Sequence, residues 1–108
     1  MDKDRVKIKQ VVQQYKESLL KLGVRVERVI LFGSFAFGEP RKDSDIDLVV
    51  VSDDFKGLNL RERLEVLGIA AVRIMQPIEA NGYTLQEIKR ASPWSFLSQV
   101  LKSGVNVH

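Results

Sequence analysis

The sequence predicts an α/β (α+β) domain, a small mixed β-sheet with flanking helices, as a single unit over residues 1–108. Three observations carry that expectation. The runs Val29-Ile30-Leu31-Phe32 and Leu48-Val49-Val50-Val51 are apolar on both faces, as strands covered on two sides must be. Stretches with an apolar residue every three or four positions stand before and after those runs, the spacing of helices with one buried face. Hydrophobic residues make up 44% of the 108, enough for one packed core, and the 29% of charged residues fits an ordinary solvated surface.

Taken in order, residues 4–22 read as an amphipathic helix. Val6 or Ile8, Val11 or Val12, Tyr15, Leu19 and Leu22 recur at helical spacing, and Gly23 supplies a natural stop. Val24 to Phe32 reads as the first strand, and a second strand opens with the alternating carboxylates Asp45 and Asp47 and runs on to Val51. Ser52 to Gly57 is a loop by composition, with Asp53 and Asp54 in solvent. Leu58 to Ile74 is helical, with Leu60, Leu64, Leu67, Ala71 and Ile74 on one face. A third strand is expected over Met75 to Ala80, where Pro77 argues for an edge position or a strand start. Thr84 and Glu87 have the spacing of a capping box, opening a short helix to about Ala91. Ser92-Pro93 then reads as the cap and first turn of a closing helix that Gly104 ends, and Val105 to His108 as a last short strand or a frayed end. Trp94 is expected to pack rather than to stack on a base, because no second aromatic lies beside it in a basic context.

Composition narrows the function classes. A net charge of +3 permits an anionic ligand but is too small to argue for nucleic acid. With no cysteine, neither a disulfide framework nor a thiolate metal site can form. The single histidine, His108, is the last residue and a poor candidate for catalysis. No apolar run is long enough to cross a bilayer, and Met1-Asp2-Lys3-Asp4 lacks the apolar core of a signal peptide, so a cytoplasmic protein without membrane contact is expected.

The chemistry concentrates between the first two strands. Gly33 removes the side chain that would keep an anion from the backbone, and the Ser34 hydroxyl can donate to a phosphate oxygen. A short helical turn over Ser34–Phe37 would add free amides aimed at the same anion. An ordinary turn is the simpler explanation of glycine and serine taken alone. Arg41 and Lys42 could meet a triphosphate or simply be solvated. Asp45 and Asp47 lie two apart and project to one side of a strand, where two carboxylates repel and lose hydration unless a cation sits between them. Hard oxygen ligands suit Mg²⁺ or Mn²⁺. Spacing alone also admits the pair Asp43 and Asp45. Glu79 alternates with Ile78 and Ala80, so it could bring a third carboxylate from a neighbouring strand, or stand as an exposed edge residue.

Gly33-Ser34, ten further residues and Asp45-Ile46-Asp47 together resemble the signature of the nucleotidyltransferase superfamily that shares the palm fold of DNA polymerase beta. The short length and the leading helix are most similar to the minimal nucleotidyltransferases, commonly encoded beside a HEPN-domain partner and often antitoxins to it. The resemblance implies that Gly33 and Ser34 hold a nucleoside triphosphate, and that Asp45 and Asp47 bind two Mg²⁺ (or Mn²⁺) ions. Glu79 is the best match to the third, catalytic and metal-binding carboxylate, where the family more often has aspartate. Phe37 stands where the family commonly has arginine. The implied activity is transfer of a nucleoside monophosphate, AMP from ATP, to a hydroxyl such as a tyrosine of a HEPN toxin. A non-catalytic module of the same fold that neutralises a HEPN ribonuclease by binding is the alternative, and a nucleotide sensor without turnover is a third. The acceptor surface is expected from a partner or a second copy, with no direct nucleic-acid contact.

Overall fold

The computed structural model describes residues 2–33 and 45–107, with side chains from residue 7 onward. Helix α1 (Asp2–Lys21) leads into strand β1 (Arg28–Phe32), and strand β2 (Ile46–Val51) follows. A 3₁₀ turn (Asp53–Gly57) then precedes helix α2 (Leu60–Arg73) and strand β3 (Ile78–Tyr83). Helices α3 (Leu85–Lys89) and α4 (Phe96–Ser103) and strand β4 (Val105–Val107) complete the chain. The four strands form one mixed sheet in the order β3-β2-β1-β4, with β1 antiparallel to β2 and β4, and β2 parallel to β3. A parallel pair cannot be joined by a tight hairpin, and α2 makes the crossover.

The alternation of each strand sorts side chains to two faces. Val29, Leu31, Ile46, Leu48 and Val50 pack with Ile8, Val11, Val12, Tyr15 and Leu19 of α1 and Leu67, Ala70 and Ala71 of α2. On the opposite face Ile30, Val49 and Val51 pack with Leu97 and Val100 of α4. Burying each of these larger aliphatic side chains stabilises the fold by about 1.5–3 kcal/mol before chain entropy is counted. Two long-range hydrogen bonds fix α1 on α2: the Tyr15 hydroxyl donates to the Leu67 carbonyl at 2.9 Å, and the Ser18 hydroxyl to the Ala70 carbonyl at 3.0 Å. Burial raises the Tyr15 phenol far above its usual range, so it serves as a neutral donor.

Several boundaries differ from those the sequence predicts. The first strand begins at Arg28, not Val24. Gly23, at φ 91°, closes α1 with the paired bonds Gly23 N–H to Leu20 and Val24 N–H to Leu19. Beyond it, the Arg25 N–H is taken by the Asp54 carboxylate at 2.8 Å, and its carbonyl accepts from Ser52 Oγ at 2.7 Å. Side chains therefore satisfy the backbone that a neighbouring strand would otherwise pair. The exposed Asp53 and Asp54 thus tie loops together as well as meeting solvent, since Asp53 Oδ1 accepts from the Leu85 N–H at 3.3 Å.

In α2 the buried face is Leu67, Ala70 and Ala71, while Leu60 and Leu64 are 72% and 50% exposed. The third strand starts and ends later than expected, from Ile78 to Tyr83, because Met75 turns through φ 54° and Asn81-Gly82, a turn-like pair by sequence, continues the strand. At Gly82 a β-carbon would fall 2.7 Å from the Phe55 ring, so glycine makes room for that buried aromatic. As an edge strand preceded by Pro77, β3 agrees with the sequence reading. The capping box of Thr84 and Glu87 forms as expected. The cap of α4 is Ser95 and not Ser92, whose carbonyl instead accepts from Ser95 N–H, Ser95 Oγ and Ser98 Oγ. Among the described residues no helix is long and apolar enough to cross a membrane.

Candidate active site

Strand register brings two of the predicted residues, Asp47 and Glu79, together at one end of the sheet. Asp47 lies opposite Phe32 of β1 on one side and Glu79 of β3 on the other. Residues directly opposite in neighbouring strands share a face, so Phe32, Asp47 and Glu79 form one row across three strands. The next row inward, Ile30, Val49 and Asn81, begins the apolar surface under α4. The carboxylates thus stand where the cover of that face gives way to solvent. Asp45 is the residue before β2 and is exposed, Asp47 is half-buried, and Glu79 is exposed. Pairing of β2 with the chain leading into β3 continues up to this end, because the Ile46 N–H donates to the Pro77 carbonyl at 2.7 Å.

Gly33 follows Phe32 at φ 75°, a left-handed conformation that residues with a side chain rarely adopt. A β-carbon built there would fall 3.1 Å from Asp47 Cγ and collide with Asp47 Oδ2. The glycine is therefore needed twice, once for the turn and once so that the Asp47 carboxylate can lie over its backbone. Ser34, the proposed phosphate donor, lies outside the described residues, as do Phe37, Arg41, Lys42 and Asp43.

The electrostatics follow from this placement. The Asp47 carboxyl is raised above its usual range, first by loss of hydration and then by the negative charges of Glu79 and Asp45. All three residues therefore act on one locale. Among the described residues no three His, Cys, Asp or Glu side chains gather closely enough to hold a metal ion by themselves. That does not conflict with the chemistry of Mg²⁺, which usually takes one or two carboxylates and fills its remaining positions with water and substrate phosphates. The donor set fits such an ion: hard oxygens only, with excess negative charge that a cation would relieve.

One neighbour of this site was not legible as such. Phe32 reads as one more apolar strand residue, and only the register sets it beside Asp47. Its ring meets that of Phe96 edge to face, with centroids 5.4 Å apart. Trp94, expected to pack, is 89% exposed. The signal that could have placed it outside is Ser92-Pro93, read as a helix cap but in fact part of a turn that precedes the helix.

Comparison with known proteins bears on the family and the fold. The family model described as a nucleotidyltransferase domain matches residues 12–105. A candidate protein adenylyltransferase from Methanocaldococcus jannaschii is 37% identical over 60 residues, covering 56% of this chain and 59% of that relative's length. A candidate nucleotidyltransferase from Sulfolobus solfataricus has the same fold at TM-score 0.64 and 20% identity, over 96% of this chain and 82% of the other. The crystal structure of a toxin-antitoxin with AMP-PNP contains a chain of the same fold at TM-score 0.59 and 24% identity, over 85% and 68% of the two chains.

Proposed function

The chain belongs to the family of nucleotidyltransferase domains, and from that premise we propose that it transfers a nucleoside monophosphate, AMP from ATP, to a hydroxyl on a protein partner. The acceptor we favour is a tyrosine of a HEPN-domain toxin, which would make the chain an antitoxin. The observation that carries the reading is the register of Asp47 with Glu79 beside the bare backbone of Gly33. Support for adenylyl transfer comes from the relative described as a protein adenylyltransferase. Support for the toxin partner comes from the toxin-antitoxin of like fold.

In this mechanism Gly33 allows the triphosphate to approach the backbone, and Ser34 donates to a phosphate oxygen. Asp45 and Asp47 would hold two divalent ions, with Glu79 as a third ligand at the edge. Bound there, such ions would neutralise the leaving pyrophosphate and lower the pKa of an acceptor hydroxyl. The acceptor oxygen forms its bond to the α-phosphorus as the bond from that phosphorus to the β-phosphate's bridging oxygen breaks. Glu79 helps to draw off the hydroxyl proton. The Gly33 turn would help to position the triphosphate for attack at the α-phosphorus.

The test is incubation of the protein with labelled ATP, Mg²⁺ and a HEPN-domain protein encoded beside it. Label on a partner tyrosine is the expected result. A tight complex without label would replace this reading with the non-catalytic module.

A further inference from the structure

Strand β3 forms one edge of the sheet, so half of its backbone groups have no neighbouring strand. The Ile46 N–H reaches the Pro77 carbonyl at 2.7 Å, and the Ser52 N–H reaches the Tyr83 carbonyl at 2.9 Å. In a parallel strand the N–H and C=O of one residue point the same way, so the odd-numbered residues from 77 to 83 face β2. Ile78, Ala80 and Gly82 turn theirs outward. Edges of natural sheets are commonly blunted against pairing, and here the two ends are closed. The Ile78 N–H donates to the Gln76 carbonyl at 2.9 Å, and the Gly82 carbonyl accepts from Arg63 Nη1 at 3.2 Å. Between them the Ile78 carbonyl, both groups of Ala80 and the Gly82 N–H have no hydrogen-bond partner among the described residues. The three outward residues are half-buried and Glu79 between them is exposed, so the middle of the edge is open.

We propose that this open edge receives an extended segment of the acceptor protein as a fifth strand, with the acceptor hydroxyl on the residue opposite Glu79. The proposal rests on the nucleotide-transfer reading above and adds how the acceptor is held. The unpaired groups call for a repeat of donors and acceptors, which an extended backbone supplies and a helix, its own groups already paired, does not. Register then selects the reacting residue. Opposite residues share a face, so the row of Phe32, Asp47 and Glu79 gains the segment's residue opposite Glu79 as its next member. The residues before and after it fall on the other face, beside Ile78 and Ala80 at the margin of the core, and should be apolar. Reach selects the side chain. The added strand stands two strand spacings from β2, about 10 Å, so tyrosine extends toward Asp47 where serine stops beside Glu79. The phenol oxygen bonds to the α-phosphorus, pyrophosphate leaves, and the phenolic proton passes to Glu79. A second copy of this chain suits the edge less well. Two β3 strands paired antiparallel would set both Glu79 carboxylates on one face, where Asp45 and Asp47 already crowd negative charge.

The test removes the central outward donor. Proline is tolerated on the open side of an edge strand, so Ala80→Pro deletes that N–H and leaves the pairing with β2. Transfer from labelled ATP to the HEPN-domain protein encoded beside the chain is compared in the wild type and Ala80→Pro, with ATP affinity measured by calorimetry in the presence of Mg²⁺. The kcat/KM for the acceptor protein should fall roughly tenfold, mainly through KM, with ATP affinity unchanged. Amide-resolved hydrogen exchange on the wild type with AMP-PNP needs no variant: adding the acceptor protein should slow exchange at Ala80 and Gly82. Transfer by Ala80→Pro at the wild-type rate overturns the edge and leaves the nucleotide reading standing. Transfer by a wild type whose Ala80 and Gly82 amides gain no protection does the same. If Ala80→Pro loses ATP affinity as well, its fold is damaged and the exchange result decides. Protection of those amides by raising the concentration of this chain alone gives the edge to a second copy and overturns the proposal. A wild type that labels no tyrosine sinks the transfer reading and the proposal with it.

Discussion

The two ends of the sheet treat their carboxylates in opposite ways. At the end where β2 and β3 finish, Glu87 receives the Thr84 N–H at 2.8 Å and the Arg63 guanidinium at 2.7 Å. Burial pushes its carboxyl up, but those donors and the Arg63 charge outweigh burial and hold it below its usual range. Arg63 also donates to the Leu58 and Gly82 carbonyls and lies over the Phe55 ring. At the other end, Asp47 is crowded by Glu79 and Asp45 and is raised instead. One end uses acids to hold the chain together. The other bears an electrostatic cost that a bound cation would relieve, a pattern that active sites often show.

The largest expected effect comes from breaking the crowded end. Asp47→Asn keeps the shape and removes one charge, and transfer should fall at least a hundredfold, roughly the loss of a key electrostatic group in other active sites. A circular dichroism melt should show the protein still folded. Transfer near the wild-type level would separate Asp47 from the chemistry. Next in size is Gly33→Ala, which forces a side chain into a left-handed turn and against Asp47. We expect about 1–3 kcal/mol of lost stability by urea denaturation, together with weaker nucleotide binding.

These two predictions touch residues that were legible in the sequence, and the reason is local. The Gly33 turn and the alternation of Asp45 and Asp47 are short-range patterns, so chain order alone exposes them. Glu79 was legible as a candidate because alternation fixes its face, but its pairing with Asp47 depends on the register of two strands 32 positions apart. The helices were read well wherever one face is apolar and capped, as with Thr84 and Glu87. They were misread where the tertiary packing selects a different face, as with Leu60 and Leu64. The start of β1 was illegible for a related reason. Val24 and Val26 alternate as a strand would, but side chains of Ser52 and Asp54 take the backbone groups of Arg25.

Smaller effects should mark the tied end. Thr84→Ala removes one half of a capping box and should cost about 1 kcal/mol of stability, with little effect on transfer. Glu87 also gives a pH signature. Its folded pKa is lowered, so its contribution is present above the unfolded value and is lost as the pH falls through the folded value. Acid melts of Glu87→Gln should therefore converge with those of the wild type at low pH and lie below them near neutrality. The smallest effect has the opposite sign. The raised Asp47 carboxyl disfavours the folded state once it is ionised, so without metal Asp47→Asn should be more stable than the wild type near neutrality. The gain should be a few tenths of a kcal/mol after solvent screening. A less stable variant would remove the contrast between the two ends.

In the proposed function, the cluster of Asp45, Asp47 and Glu79 receives a divalent cation together with a nucleotide. Anomalous diffraction from crystals grown with Mn²⁺ and AMP-PNP addresses it most directly. Manganese peaks ligated by the carboxylates of Asp45 and Asp47, with the triphosphate against Gly33, are the expected result. Bound nucleotide with manganese away from those carboxylates would contradict it.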